Sequence, residues 1–446
     1  MNITDILFTL LFTTLCYLCI AKMPFFRSTQ IPIRQLNIYF TLHILAAGAL
    51  FIIYTRFYRD RHTADIFKFY DDSERLYKNL FLSYPMDYFK LIFGFKNTEL
   101  MQIALNKTAF WYKPFETPLF NDNRTIIRLN MIIRLFSHGI YGIHAALFTF
   151  LSFTGLVAIY KGFRRFFNDK LYALKIACFL TPSVLLWTSG ILKESILMFG
   201  VGLIVLLVSY YLSDRLVTYK RIAILVCCTG LLFVTKPYIL ILLAPSFFTL
   251  ITWELRISKS IALVFLASNL FVIFCIFIMG KYFPIFNVSH ALYKMQQDFI
   301  NVAHLSQSKS YFDSALLDDS FVSIVMHVPE ALFNSLLRPF SFFGGSILSL
   351  IASIENLVII ILLSFAIIYR SKIQDEMKGL WLFLFGFCLL LFILIGLTVP
   401  VEGAIVRYKT PALPFLLILI FSVTDTQKIN IIRSKIQSLW LRKLRL

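Results

Sequence analysis

Long apolar runs separated by short polar links make up most of the chain. Eleven runs fall near 3–21, 37–55, 138–160, 171–187, 194–213, 222–235, 238–254, 260–281, 346–369, 379–399 and 411–424. Most approach the roughly 20 residues that a helix needs to cross a bilayer. Lipid offers no partner to free backbone N–H and C=O groups, so such runs must be helical. The pattern predicts an all-α polytopic membrane protein of about eleven transmembrane helices. The sixth and seventh runs are short and separated by Thr235-Lys236-Pro237, so they also read as a broken or re-entrant pair. The first run follows Met1–Asp5, which has no basic residue, and no small-x-small site follows Ile20. It is expected to be a retained anchor.

Charge adds an orientation. Counted over alternate short links and the tail, one set holds 21 Lys and Arg residues, including Lys161, Arg164, Arg165, Arg215, Lys220 and Lys378. The other set holds four: Lys193, Lys236, Arg407 and Lys409. Positive links face the cytoplasm, so the N-terminus is expected outside and the C-terminus inside. Two long segments, 56–137 and 282–345, then lie on the outer face. The first carries nine of the 24 acidic residues. The repeats at three and four residues in Phe67-Tyr70-Glu74-Tyr77 and Leu76-Leu80 predict short amphipathic helices along the membrane. Trp111, Tyr112 and Phe115 read as contacts with the membrane interface. The second segment reads as too short and too polar to span. Residues 1–427 are read as one membrane-embedded domain. The tail 428–446 alternates Ile429, Ile432, Ile436, Leu439 and Trp440 with basic residues, a pattern suited to an amphipathic helix on an anionic inner leaflet.

Composition narrows the classes. The formal charge of +19 is read as cytoplasmic-loop bias and lipid attraction, with no nucleic-acid partner. All seven cysteines lie inside apolar runs and read as small core residues. Phosphate-loop, dinucleotide, His-Glu-x-x-His and Gly-x-Ser-x-Gly patterns are absent from the sequence, which speaks against ATP-driven chemistry on the inner face.

The outer face collects the polar residues that could do chemistry. Charges at membrane depth are costly, so they pair or line a cavity. Lys193 and Glu194 begin a run, Lys236 sits between two, Arg338 precedes Pro339, and Arg407 and Lys409 precede Pro411. Arg grips a phosphate as a planar fork and Lys as a point charge. These residues, with His62, are candidates for substrate binding. A carboxylate nearby would take the proton of an attacking hydroxyl; Asp60 and Asp65 are the candidates. Asp71 and Asp72 read as a solvated helix face, and His138 and His144 as packing or hydrogen-bonded residues. His62, Asp65 and His304 have no metal-site spacing; no metal ligand is named, and a divalent cation is left open.

At these residues the chain resembles the GT-C-type integral-membrane glycosyltransferases of bacterial envelopes, which use polyprenyl-phosphate sugars. The resemblance is carried by the acidic stretch Asp60 to Asp72, by Pro182-Ser183 to Lys193-Glu194, and by Val406-Arg407-Tyr408-Lys409-Thr410-Pro411. Asn123 to Asn130 shares the pattern without an assigned role. The resemblance implies sugar transfer from a polyprenyl-phosphate donor to a glycan or lipid-linked acceptor, at an extracytoplasmic site in the bacterial inner membrane. In the family an acidic residue of the first outer loop is the base. Here that loop follows the second run, and four residues separate Asp60 from Asp65. Two alternatives stand beside this reading. One is an O-antigen or capsule polymerase or ligase acting on lipid-pyrophosphate-linked glycans. The other is a non-enzymatic transporter or flippase of lipid-linked glycan.

Overall fold

The computed structural model describes residues 2–56, 61, 64–95, 98–112, 121–283, 287–340 and 346–425. Asp60, His62, Phe115 and the basic tail lie outside the described residues. Among the described residues the chain is helical, with isolated bridges but no named strand. Its α-helices are α1 (Ile3–Lys22), α2 (Pro24–Arg27), α3 (Ile33–Arg56), α4 (Asp65–Leu76), α5 (Pro85–Ile92), α6 (Glu99–Asn106), α7 (Asp122–Ser137), α8 (Tyr141–Phe163), α9 (Leu171–Phe179), α10 (Pro182–Trp187), α11 (Lys193–Asp214), α12 (Tyr219–Thr235), α13 (Pro237–Glu254), α14 (Ile261–Tyr282), α15 (Val288–Leu305), α16 (Phe321–Leu337), α17 (Ile347–Ile368), α18 (Asp375–Thr398), α19 (Glu402–Lys409) and α20 (Leu413–Val423).

Among the described residues, nine helices are long and apolar enough to cross a membrane. They are α1, α3, α8, α11, α13, α14, α17, α18 and the joined α19–α20. Two of the eleven expected runs fall short of that length. Residues 171–187 break before Pro182 into α9 and α10, because proline lacks the N–H that would continue the helix. The run near 222–235 forms α12, of 17 residues. The chain divides into two compact units: Met1–Arg165 with Cys178–Ile241, and Phe166–Ala177 with Leu242–Leu446.

In the first unit α8 and α11 meet backbone to backbone. A Cβ placed on Gly155 would lie 2.1 Å from the Met198 carbonyl oxygen, and one on Gly202 would lie 2.1 Å from that of Gly155. Small residues of this kind let helices approach closely in lipid. The short helices α4 to α7 surround a core that includes Leu76, Tyr88, Leu105, Trp111, Ile126 and Met131. Trp111 is fully buried there rather than exposed at an interface. Arg134 pins α7 to α4: its Nε donates to the Ser73 hydroxyl and its Nη2 to the Tyr70 carbonyl. His144 donates from Nδ1 to Asn130 at 2.7 Å and accepts at Nε2 from the Ser137 hydroxyl at 2.8 Å. It is thus a buried, hydrogen-bonded histidine.

In the second unit the 282–345 segment holds more apolar structure than its polar reading allows. α16 is an apolar helix of 17 residues and packs on α18. A Cβ on Gly396 would lie 1.9 Å from the Ala331 carbonyl oxygen. Its apolar side chains, Leu332 and Phe333 among them, were masked in the sequence by the charged and polar residues on both sides.

Candidate functional site

In the first unit the site grows from α7. Asn121 caps it by accepting from the Asn123 N–H. The next two residues take the side chain of Lys193, the first residue of α11. Its Nζ lies 2.5 Å from Asp122 Oδ2 and 2.8 Å from Asn123 Oδ1. The ammonium also faces the Phe69 ring, 5.2 Å from its centroid. Phe69 is on α4, the helix that Asp65 begins. Thr125 donates to the Val234 carbonyl near the end of α12. Together with the Asn130–His144 bond, α7 therefore touches the start of α8, the start of α11 and the end of α12. Lys236 is buried, with its Nζ 5.5 Å from the Tyr238 ring centroid. Glu194, on the second residue of α11, is buried as well.

The acidic stretch is sorted by its partners. Asp65 pairs with Lys68 at 2.8 Å. Asp71 takes a two-pronged hydrogen bond from Arg61, which holds the Arg61 guanidinium above its ordinary range. Asp72 was read as part of a solvated face; the structure corrects this. It is fully buried and accepts from the Ala109 and Phe110 N–H groups and from Arg75. Burial raises its carboxyl above the usual range, against the pull of those bonds.

In the second unit the residues converge on Arg338. Its Nε donates to Asn334 Oδ1 at 3.0 Å and its Nη1 to Glu402 Oε1 at 3.3 Å. The guanidinium lies 3.9 Å from the Phe312 ring centroid. Glu402 starts α19, and its N–H donates to the Ser310 carbonyl. Lys409, two residues beyond Arg407 on α19, is buried. Its Nζ donates to Asn356 Oδ1 at 2.7 Å, to the Arg338 carbonyl at 3.3 Å and to the Ser335 carbonyl at 3.5 Å. Asn356 in turn donates to the Leu337 and Pro339 carbonyls. An ammonium has three N–H donors, and Lys409 places all three on protein acceptors. Arg407 is half-buried on the same helix.

Sequence reasoning passed over Asp122, Phe312, Asn334 and Asn356, and left Asn123 without a role. One signal was available for Asn356. The Glu355-Asn356 pair interrupts an apolar run, and a polar residue at membrane depth marks a site by default. Among the described residues no group of three or more His, Cys, Asp or Glu is placed to hold a metal ion. No protein family matches the chain, and no curated protein or solved structure matches it either.

Proposed function

We propose that the protein is a membrane glycosyltransferase that moves a sugar from a polyprenyl-phosphate donor to a glycan or lipid-linked acceptor. In this reading eleven segments cross a bacterial inner membrane, with the N-terminus outside, the C-terminus in the cytoplasm and the site on the extracytoplasmic face. Arg338 and Arg407, both in the second unit, contact the donor phosphate. The acceptor oxygen attacks the anomeric carbon, and its proton passes to Asp65 or Asp60. The bond from that carbon to the phosphate oxygen breaks, and the polyprenyl phosphate leaves with the electron pair. The anomeric centre inverts if attack is in line.

One observation carries this reading. Arg338 lies over the Phe312 ring and is braced by Asn334 at Nε and by Glu402 at Nη1, with its side chain 30% exposed. A braced, partly exposed guanidinium suits charge-assisted recognition of a phosphate. The test is transfer from polyprenyl-phosphate sugars by purified protein, with Arg338→Ala and Asp65→Asn compared to wild type. Loss of transfer in Arg338→Ala is expected. Full activity in Arg338→Ala would remove the phosphate assignment.

The polymerase reading has its own support. Asp65 is already engaged in an ion pair with Lys68. A polymerase acting on lipid-pyrophosphate-linked glycans uses the same cations without Asp65. Full activity of Asp65→Asn and Asp60→Asn, with chain growth on a pyrophosphate-linked substrate, would decide for it.

A further inference from the structure

α5, the Gly94 turn and α6 leave a set of large apolar side chains uncovered. Leu82, Met86, Phe93, Phe95 and Ile103 are all exposed, Phe93 at 76% and Phe95 at 66%. The turn between the two phenylalanines is fixed. Gly94 sits at φ +86, where other residues are strained. Directly over it lies a cation: Arg128 Nη2 is 3.6 Å from where a Gly94 side chain would begin. Arg128 Nε donates to the Leu91 carbonyl at 3.1 Å. Its guanidinium stacks on Trp111, 5.3 Å from the ring centroid, beside Arg124 at 5.7 Å from the same ring. Burial and the like charge of Arg124 lower the Arg128 pKa, so an anion at this place would relieve a repulsion.

The depth of this surface follows from its attachments. Tyr88 of α5 donates to the Met131 carbonyl of α7, and Arg128 of α7 donates to Leu91 of α5. α7 itself is bonded to the starts of α8 and α11, two helices long and apolar enough to span. The ends of spanning helices lie at headgroup level. Exposed aromatic and aliphatic side chains with a cation beside them fit that level, where rings bed in the acyl boundary and Arg meets phosphate. The exposed tryptophan that would have marked an interface, Trp111, is instead the buried platform for the two arginines.

We infer that α5, the Gly94 turn and Arg128 form a docking site for an anionic phospholipid: the acyl chains lie on Phe93, Phe95 and Met86, and the phosphate meets Arg128. The site stands independently of the glycosyltransferase reading. It differs from the donor contacts proposed above, since none of its residues is shared with them.

The test uses the full chain in nanodiscs of phosphatidylcholine with a minor share of phosphatidylglycerol. A trace of either lipid carries a photoactivatable diazirine in its acyl chain, and adducts are mapped by mass spectrometry. Adducts on residues 82–103 are expected, with phosphatidylglycerol favoured over phosphatidylcholine in wild type. Arg128→Gln is expected to lower that preference about tenfold, the factor one charge-assisted hydrogen bond supports, and Arg128→Lys to restore part of it. Phe93→Ser with Phe95→Ser is expected to remove adducts of both lipids. An unchanged melting temperature in these variants separates lost docking from lost fold. Adducts confined to the spanning helices would overturn the site. Equal labelling by the two lipids in wild type would overturn the phosphate contact and with it the anionic ligand. Displacement of phosphatidylglycerol by stoichiometric polyprenyl phosphate would overturn the phospholipid as occupant, and cross-links between copies in place of lipid adducts would overturn lipid docking.

Discussion

The Lys193 ammonium lies 2.5 Å from the Asp122 carboxylate, joining the first residue of α11 to the first residue of α7. Both side chains are largely shielded, at 13% and 15% exposure. Removing one partner of such a pair leaves the other poorly solvated. Lys193→Met and Asp122→Leu are each expected to destabilise the protein by about 1–3 kcal/mol. The double variant should lose less than the two losses added, with a coupling of about 0.5–3 kcal/mol. Unfolding in mixed micelles, followed by tryptophan fluorescence, measures all three. Additive losses would mean the ion pair does no coupling across the α7–α11 contact.

Lys409 holds the chain that carries Arg338. Its ammonium takes the Ser335 and Arg338 carbonyls, while Asn356 supplies an acceptor to it and donors to Leu337 and Pro339. Lys409→Met would leave these buried acceptors without a donor, a loss of about 1–3 kcal/mol. Hydrogen exchange should rise at residues 335–340 more than in α14. Protection unchanged at those residues would show that Asn356 alone suffices to hold the segment.

The helical, membrane-embedded class was legible because apolar run length is a strong signal, as in α14 and α18. The shortness of α12 was legible too, since its run was already short, but the broken α9–α10 region was less so: a run of apolar letters outweighed the single Pro182 that interrupts it. The site was legible in part. Lys193 and Arg338 stood out as cations beside apolar runs. Their partners did not, because Asp122 and Asn123 lie about 70 residues from Lys193, and Glu402 lies 64 from Arg338. Asp72 misled for a related reason. Its sequence neighbours are polar, and only tertiary packing against Ala109 and Phe110 buries it.

Asp72 gives stability a pH dependence of definite sign. Burial raises its folded-state pKa above the unfolded value, so the folded state holds the proton more tightly. Its contribution is complete below the unfolded pKa, near 4, and is lost as pH rises through the folded pKa. Asp72→Asn cannot ionise. The stability difference between wild type and Asp72→Asn should therefore move against wild type as pH rises from about 4, by at most about 1.4 kcal/mol per pH unit for one proton. Melting temperatures across that range provide the check. A difference moving toward wild type would mean that the bonds from Arg75, Ala109 and Phe110 outweigh burial.

The glycines separate two kinds of position on the apolar helices. Gly155 and Gly202 lie where α8 and α11 touch, and a Cβ on either would overlap a backbone carbonyl at 2.1 Å. Backbone cannot yield as a flexible side chain can, so Gly155→Ala and Gly202→Ala must push the helices apart. Overpacking of this kind costs about 1–3 kcal/mol or more. Gly48 on α3 and Gly230 on α12 have nothing within 4 Å of the same position. Alanine there adds no clash and restricts the unfolded chain, a gain of about 0.5–1 kcal/mol. The four single variants should thus split by sign, with Gly155→Ala and Gly202→Ala melting lower than wild type and Gly48→Ala and Gly230→Ala at or above it. If Gly155→Ala melts with wild type, the close backbone contact between α8 and α11 is wrong. A fall in Gly230→Ala would instead show that its open side meets a neighbour in the membrane.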